Sequence, residues 1–501
     1  MKVLSRISLL FFGLSSAGAM AADIEWSGLY RVEGVSRYKP DLANGDRGID
    51  YGLQHLILRP KIIASDGFTI RSQFDVFNNS DYPQSHLGQV WGSSLHKSDN
   101  GTNPPLFDRS TIHSGDGSNV ISQTGSAGDI EVTQLYLTWD HEFGSLIVGR
   151  APLQFGLGMT YSAGMGMFDH FYNTLDMVGY KVVLGNIFVM PMIGKSSGGA
   201  LDRNDDVHDY LVQAQYDAPE NDVELGVMYH LKNSNDQGSD APITDASGNS
   251  ILGGTGASYS SVNIQTINVY ALKDTPSFRL GAEFGFQNGQ IGVQSNAGDH
   301  VGINSFGIAL EMEYRPLESS WKYGIKAGYA TGDDPTTQGT YEGFIFNRNY
   351  DVAFLLFNHQ LGQFDVFRTR LIGGGGGSPN YTSSASTQNE ISSPDIDAIS
   401  NVMYFAPYTV WKMSDRWNMK GVLATGFLNV DPTGSLTSAG TGSKDVGWEF
   451  DYSINFTPRK GIAWLNEVGV LVPGHAFSGS STQNFQTSNS YGFQTRAAIS
   501  F

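Results

Sequence analysis

The chain has no cysteine in 501 residues, which excludes disulfide staples, thiolate metal sites and a lipid-modified cysteine anchor. After the first 21 residues no apolar run approaches the roughly 18 to 20 residues of a membrane-crossing helix. Basic residues are scarce: 31 Lys and Arg stand against 49 Asp and Glu, a formal charge of −18. Non-specific binding to nucleic acid is therefore not expected. Linkers rich in proline or charge are missing as well. The length alone would suggest about three soluble domains, but the uniform composition reads as one domain over 22–501. Nucleotide and metal motifs are also missing. "GKS" at 194–196 has Val189 where a phosphate loop needs glycine, and no H-E-x-x-H pair occurs. No cofactor and no enzymatic activity are expected, because no nucleophile can be placed beside an oriented base.

What is present begins with a leader. Lys2 and Arg6 precede "ISLLFFGL", and Ala19-Met20-Ala21 supplies small residues for cleavage. This pattern predicts an exported protein whose signal peptide, residues 1–21, is removed. Loss of Lys2 and Arg6 takes the charge from −18 to −20.

From there to the end the chain alternates. In "VELGVMYHLK", Val223, Leu225, Val227, Tyr229 and Leu231 oppose Glu224, His230 and Lys232. "FTIRSQFDVF", "FRLGAEFGFQ", "FGIALEMEYR", "WKYGIKAGYA" and "VGWEFDYSINF" repeat the pattern, with no charge on the apolar face. Alternation alone also fits a soluble sandwich. Two features separate the readings. These strands run to ten residues or more, near the length that crosses a bilayer at a tilt and above the usual five or six. Their connections also alternate between short turns, at 65–67, 217–221, 274–277, 316–320 and 457–461, and long polar loops, notably 79–129, 233–260 and 372–395. The prediction is an all-β transmembrane antiparallel barrel, with short periplasmic turns and long extracellular loops. Strands are expected to begin near 24, 52, 68, 130, 144, 176, 187, 207, 223, 262, 278, 303, 321, 398, 417, 445, 461 and 490, which makes eighteen. A further pair between Tyr350 and Ile372 would make twenty. Tyr314, Trp321, Trp417 and Phe456 fall at strand ends, as an interfacial girdle requires.

Two stretches resemble known families. "FGSLIVGR" (143–150), followed later by "DMVGYKV", resembles the G-x-L-x-x-G-R element of Gram-negative porins. "GWEFDYSINFTP" with "GVLVPGHAF" and "FNHQLGQFDVF" resembles the C-terminal third of alginate-export barrels. The closing "SNSYGFQTRAAISF" puts Tyr491, Phe493, Ile499 and Phe501 on one face. It is similar to the terminal signal read by the outer-membrane insertion machinery. These resemblances imply a passive outer-membrane channel for small hydrophilic solutes, or alternatively a polysaccharide-export channel; an outer-membrane enzyme such as a phospholipase or protease is the further alternative, for which no catalytic constellation can be placed. The implied surroundings are outer-membrane lipid and lipopolysaccharide, with monomer and homo-oligomer both open.

Parity places Arg31, Arg59, Arg71 and Arg496 inward, on strands that become neighbours when a barrel closes. They are the candidate basic patch of a neutral to mildly anion-preferring pore. Arg150 joins them only if Gly149 forms a bulge. Residues 151–175, rich in Gly, Met and aromatics, are the candidate constriction, with Asp169 and Asp176 facing the arginines. The alternative is extra length on the flanking strands. Asp202, Asp205, Asp206 and Asp209 are weak calcium candidates without EF-hand spacing, and a solvated acidic loop is the simpler reading.

Overall fold

The computed structural model describes residues 23–65, 67–76, 88–91, 130–197, 207–234, 259–294, 300–337, 339–363, 365–367, 398–431, 441–479 and 486–501. The expected signal peptide and most of loops 79–129, 233–260 and 372–395 lie outside them.

Eighteen long antiparallel strands form a closed barrel. In order they are β1 (Asp23–Tyr38), β2 (Gly48–Ser65), β3 (Phe68–Val76), β4 (Ile130–His141), β5 (Gly144–Pro152) and β6 (Thr174–Leu184). Next come β7 (Ile187–Ser197), β8 (Val207–Ala218), β9 (Val223–Asn233), β10 (Tyr259–Asp274), β11 (Phe278–Gln294) and β12 (His300–Tyr314). The last are β13 (Trp321–Ala330), β14 (Val402–Lys412), β15 (Trp417–Leu428), β16 (Asp445–Arg459), β17 (Ile462–Pro473) and β18 (Ser490–Ser500). Every strand expected from sequence is found. β1 closes on β18 from Leu29↔Ser500 to Tyr38↔Tyr491, so neither end of the sheet is left as an unpaired edge.

The twenty-strand alternative is corrected. In the described part of 350–372 the residues Val352 to Phe357 are all buried, whereas a barrel strand would turn every second side chain outward. This segment instead folds into the lumen.

The outer face is apolar along each strand. Leu225, Val227, Ile267, Val269, Leu280, Leu310, Phe450 and Phe493 are all exposed there. Stacked aromatic pairs mark the end with short turns: Trp321 on Trp411 with centroids 5.5 Å apart, Trp417 on Phe456 at 4.3 Å, and Phe68 on Trp139 at 5.1 Å. Glu224 lies on the inner parity beside Leu225. Placing Leu225→Arg in lipid would cost roughly 2 to 4 kcal/mol at mid-bilayer, so that variant should lose heat-modifiable barrel while Glu224→Arg keeps it. Equal yields would mean that the two faces are misassigned.

The terminal Phe501 completes the seam. Its backbone exchanges two hydrogen bonds with Gly28, at 2.8 and 3.1 Å. Its ring lies where a Gly28 Cβ would stand, 2.6 Å from Cζ. Gly28→Val or deletion of Phe501 should therefore lower the fraction of heat-modifiable barrel. Full insertion of both variants would show that the seam contact is dispensable.

Candidate functional site

Alternation puts charged side chains inside, and one wall of the lumen concentrates them. Arg31, Glu33 and Arg37 of β1, His55 and Arg59 of β2, Asp75 of β3 and Arg496 of β18 all share the inner parity, and all but Arg59 are fully buried. Two loops from the opposite rim turn inward and fold against this wall.

The first inward loop joins β5 to β6 across 153–173, within the candidate constriction 151–175. An apolar half seats it: Leu153 and Phe155 pack on Met177, Met192, Leu211, Met228 and Tyr270 of the barrel wall. Polar anchors fix the rest. On the far wall, Glu283 accepts from the backbone N–H of Met159 and Thr160 at 3.1 and 3.2 Å. Tyr161 is hydrogen-bonded to His230 Nδ1 at 2.7 Å, and His230 Nε2 to Asp209 at 2.7 Å. On the basic wall, Tyr172 donates to Asp75 at 3.1 Å and His170 Nε2 to Glu33 at 2.8 Å. Burial pushes the His170 imidazole below its ordinary pKa, with the adjacent Glu33 carboxylate opposing the shift.

The second inward loop lies between β13 and β14, over the described residues 331–337, 339–363, 365–367 and 398–401. Phe344 lies against Gly285 and Gly307, where added Cβ atoms would stand 2.8 and 2.5 Å from its ring. Two carboxylates of β16 hold the tip. Glu449 accepts from the N–H of Leu355 and Leu356 at 2.6 and 2.5 Å, and Asp451 from that of Phe354 at 3.0 Å. Asn349 ties the loops together, accepting from the N–H of His170 and Phe171 at 3.1 and 3.0 Å and donating to the Phe171 carbonyl. Asn347 N–H adds a bond to the Met159 carbonyl at 2.7 Å.

The arginines are not equivalent. Arg31 pairs with Glu33, donates to the Asp169 backbone carbonyl and lies 3.4 Å from His55 Nδ1. Its charge is matched and its role is to hold the loop. Arg59 donates to Gln73 at 2.8 Å. Arg496 lies over the Phe168 ring at 4.9 Å and 3.8 Å from Glu467. Arg71 is exposed and has no ion pair among the described residues. The expected patch is thus three guanidiniums around Asp169, with Arg71 set apart toward the short-turn end. Asp169 faces Arg31 and Arg59 as expected, and its side chain accepts from Gly166 N–H at 2.7 Å.

Arg150 and Asp176 do not join the lumen. They form a two-point ion pair at 2.7 and 2.8 Å, half exposed on the outer face beside Val148 and Val178. Gly149 has φ of 123° but stays in register, Tyr136↔Gly149 and Leu135↔Arg150, so no bulge turns Arg150 inward. Asp209, offered as a calcium ligand, is fully buried on His230. Asp202, Asp205 and Asp206 lie outside the described residues, and among the described residues no cluster of three metal-ligating side chains occurs. The clamps on the loops, Glu283, Glu449, Asp451 and Asn349, are absent from the sequence reading. The available signal was Glu449 and Asp451, two inward acids in one strand.

Between loops and wall the lumen keeps open space. Below the second loop lies a cavity of about 250 Å³, bounded by Asp351, Phe354, Asn358, Lys420, Glu467 and Arg496. A smaller cleft between the two loops, reaching Glu33, Asp169 and Arg348, meets it at Asp351, Asn358, Gln494 and Arg496.

No family model and no curated protein matches the chain. Solved structures do. OccK1 (OpdK) of Pseudomonas aeruginosa is 11% identical, with 96% of this chain and 98% of that one covered at a TM-score of 0.49. OccAB4 of Acinetobacter baumannii is 10% identical, covering 95% and 98% at 0.47. OmpT of Vibrio cholerae, an outer membrane protein in a form lacking loop L8, is 9% identical, covering 96% and 100% at 0.40.

Proposed function

We propose that the chain is a passive outer-membrane channel for small hydrophilic solutes, neutral to mildly anion-preferring. One observation carries this reading: a closed barrel of eighteen strands with an apolar outer face encloses a polar lumen narrowed by two docked loops. An apolar outer band suits lipid, and a barrel this wide needs such loops to be selective. Among the described residues Arg71 and Lys420 have no ion pair and can act on passing ions, with Arg59 and Arg496 partly so, while Arg31 is neutralised by Glu33. Enzymatic activity has no part in the proposal. Outer-membrane lipid, lipopolysaccharide and the insertion machinery are its surroundings, and association into homo-oligomers is compatible with it. The polysaccharide-export alternative rests on the C-terminal resemblance and would need a bore wide enough for a polymer, which two loops clamped across the lumen do not favour.

Purified protein in planar bilayers tests this. Stable steps of KCl conductance are expected, with a reversal potential in a salt gradient near zero or slightly toward chloride. Absence of steps contradicts the channel, and strong potassium selectivity contradicts the anion preference.

A further inference from the structure

The cavity beneath the second loop holds charges of both signs, and most are already used. Glu467 faces Arg496 at 3.8 Å and accepts from Gln494 at 2.5 Å. Asp451 accepts from Phe354 N–H at 3.0 Å. Two remain. Lys420 has no ion pair or hydrogen bond among the described residues, only the Tyr408 ring at 5.2 Å. The Asp351 carboxylate likewise has no donor among them, although its backbone carbonyl accepts from Lys326 at 2.9 Å. Neither is within ion-pair distance of an opposite charge among the described residues: Lys420 feels Glu467 and Asp451 as well as Asp351, and Asp351 feels Arg496 and Lys326. Both border the same space of about 250 Å³, which Asn358, Asn418 and Ser453 also line.

An unpaired cation and an unpaired anion lining one cavity complement a solute that carries both charges. We propose that this cavity is a subsite for small zwitterions of the α-amino acid type, with the solute carboxylate on Lys420 and its ammonium on Asp351. A simple anion would satisfy Lys420 and be repelled by Asp351, and a simple cation the reverse. Discrimination therefore comes from the pair. The loop that narrows the lumen also supplies Asp351, so the site exists only while that loop is docked on Glu449 and Asp451. The inference rests on the channel reading and deepens it.

The test uses the full-length protein in liposomes. Uptake of L-serine is measured against erythritol, an uncharged polyol of similar size, with KCl conductance recorded on the same preparation. Serine should enter about tenfold faster than erythritol, as one or two charge-assisted hydrogen bonds allow. Lys420→Gln and Asp351→Asn should each bring the ratio severalfold toward one. The charge exchange Lys420→Glu with Asp351→Lys should restore it, because a zwitterion can bind in reverse. A ratio near one in the wild type, or one that neither single variant lowers, overturns the subsite while KCl conductance leaves the channel standing. Absence of KCl conductance overturns the channel and the subsite together.

Discussion

Glu449→Ala should open the channel. The carboxylate is wholly buried and is the acceptor for two consecutive N–H groups at the tip of the second inward loop. Removing it leaves both donors without partners, at about 1 to 3 kcal/mol each. The docked arrangement of the loop should then weaken by at least about tenfold relative to a displaced one. Single-channel records should show higher conductance and flicker between levels. Glu449→Gln, which keeps one acceptor, should fall between. Unchanged conductance in the alanine variant would mean that this loop does not limit the pore.

Arg31→Ser and Arg71→Ser should separate two roles that the sequence placed in one patch. Arg31 is buried against Glu33 and holds the Asp169 carbonyl. Its loss leaves the buried Glu33 carboxylate with His170 as its remaining partner, and breaking a buried ion pair typically costs about 3 to 5 kcal/mol. The expected result is a lower temperature of heat modification and a loosened first loop, with little consistent change in selectivity. Arg71 stands in water with no ion pair among the described residues. A unit charge at about 4 Å is worth roughly 1 kcal/mol in a water-like medium, so Arg71→Ser should shift the reversal potential toward cations with barrel stability kept. A selectivity shift in Arg31→Ser matching that of Arg71→Ser would restore the undifferentiated patch.

The wall of the barrel was legible because each strand repeats one instruction. Alternation at Val223 to Lys232 states which side chains meet lipid, and turns such as "DTPS" state where the chain reverses. The lumen was less legible. A loop that folds inward loses the period of two, so the run from Val352 to Phe357 looked like a strand although its burial has another cause. The first inward loop was found because its apolar composition stood out among polar loops. The second was missed because its clamps, Glu449 and Asp451, sit on a distant strand and look like ordinary inner-face acids. Arg150 shows the cost of adjusting parity to fit a role. Its plain alternation with Leu146 and Val148 pointed outward, where it is found, and the irregular register in that neighbourhood lies between Gln73 and Phe74 on β3 instead.

The proposed channel carries solute between the two loops beside Asp351, where the upper cleft meets the lower cavity. The absence of native cysteine makes this directly measurable. In Asp351→Cys, a charged thiol-reactive reagent added during single-channel recording should reduce the KCl current stepwise and irreversibly from either side of the membrane, with no effect on the wild type. Full current after complete modification of that cysteine would contradict the path.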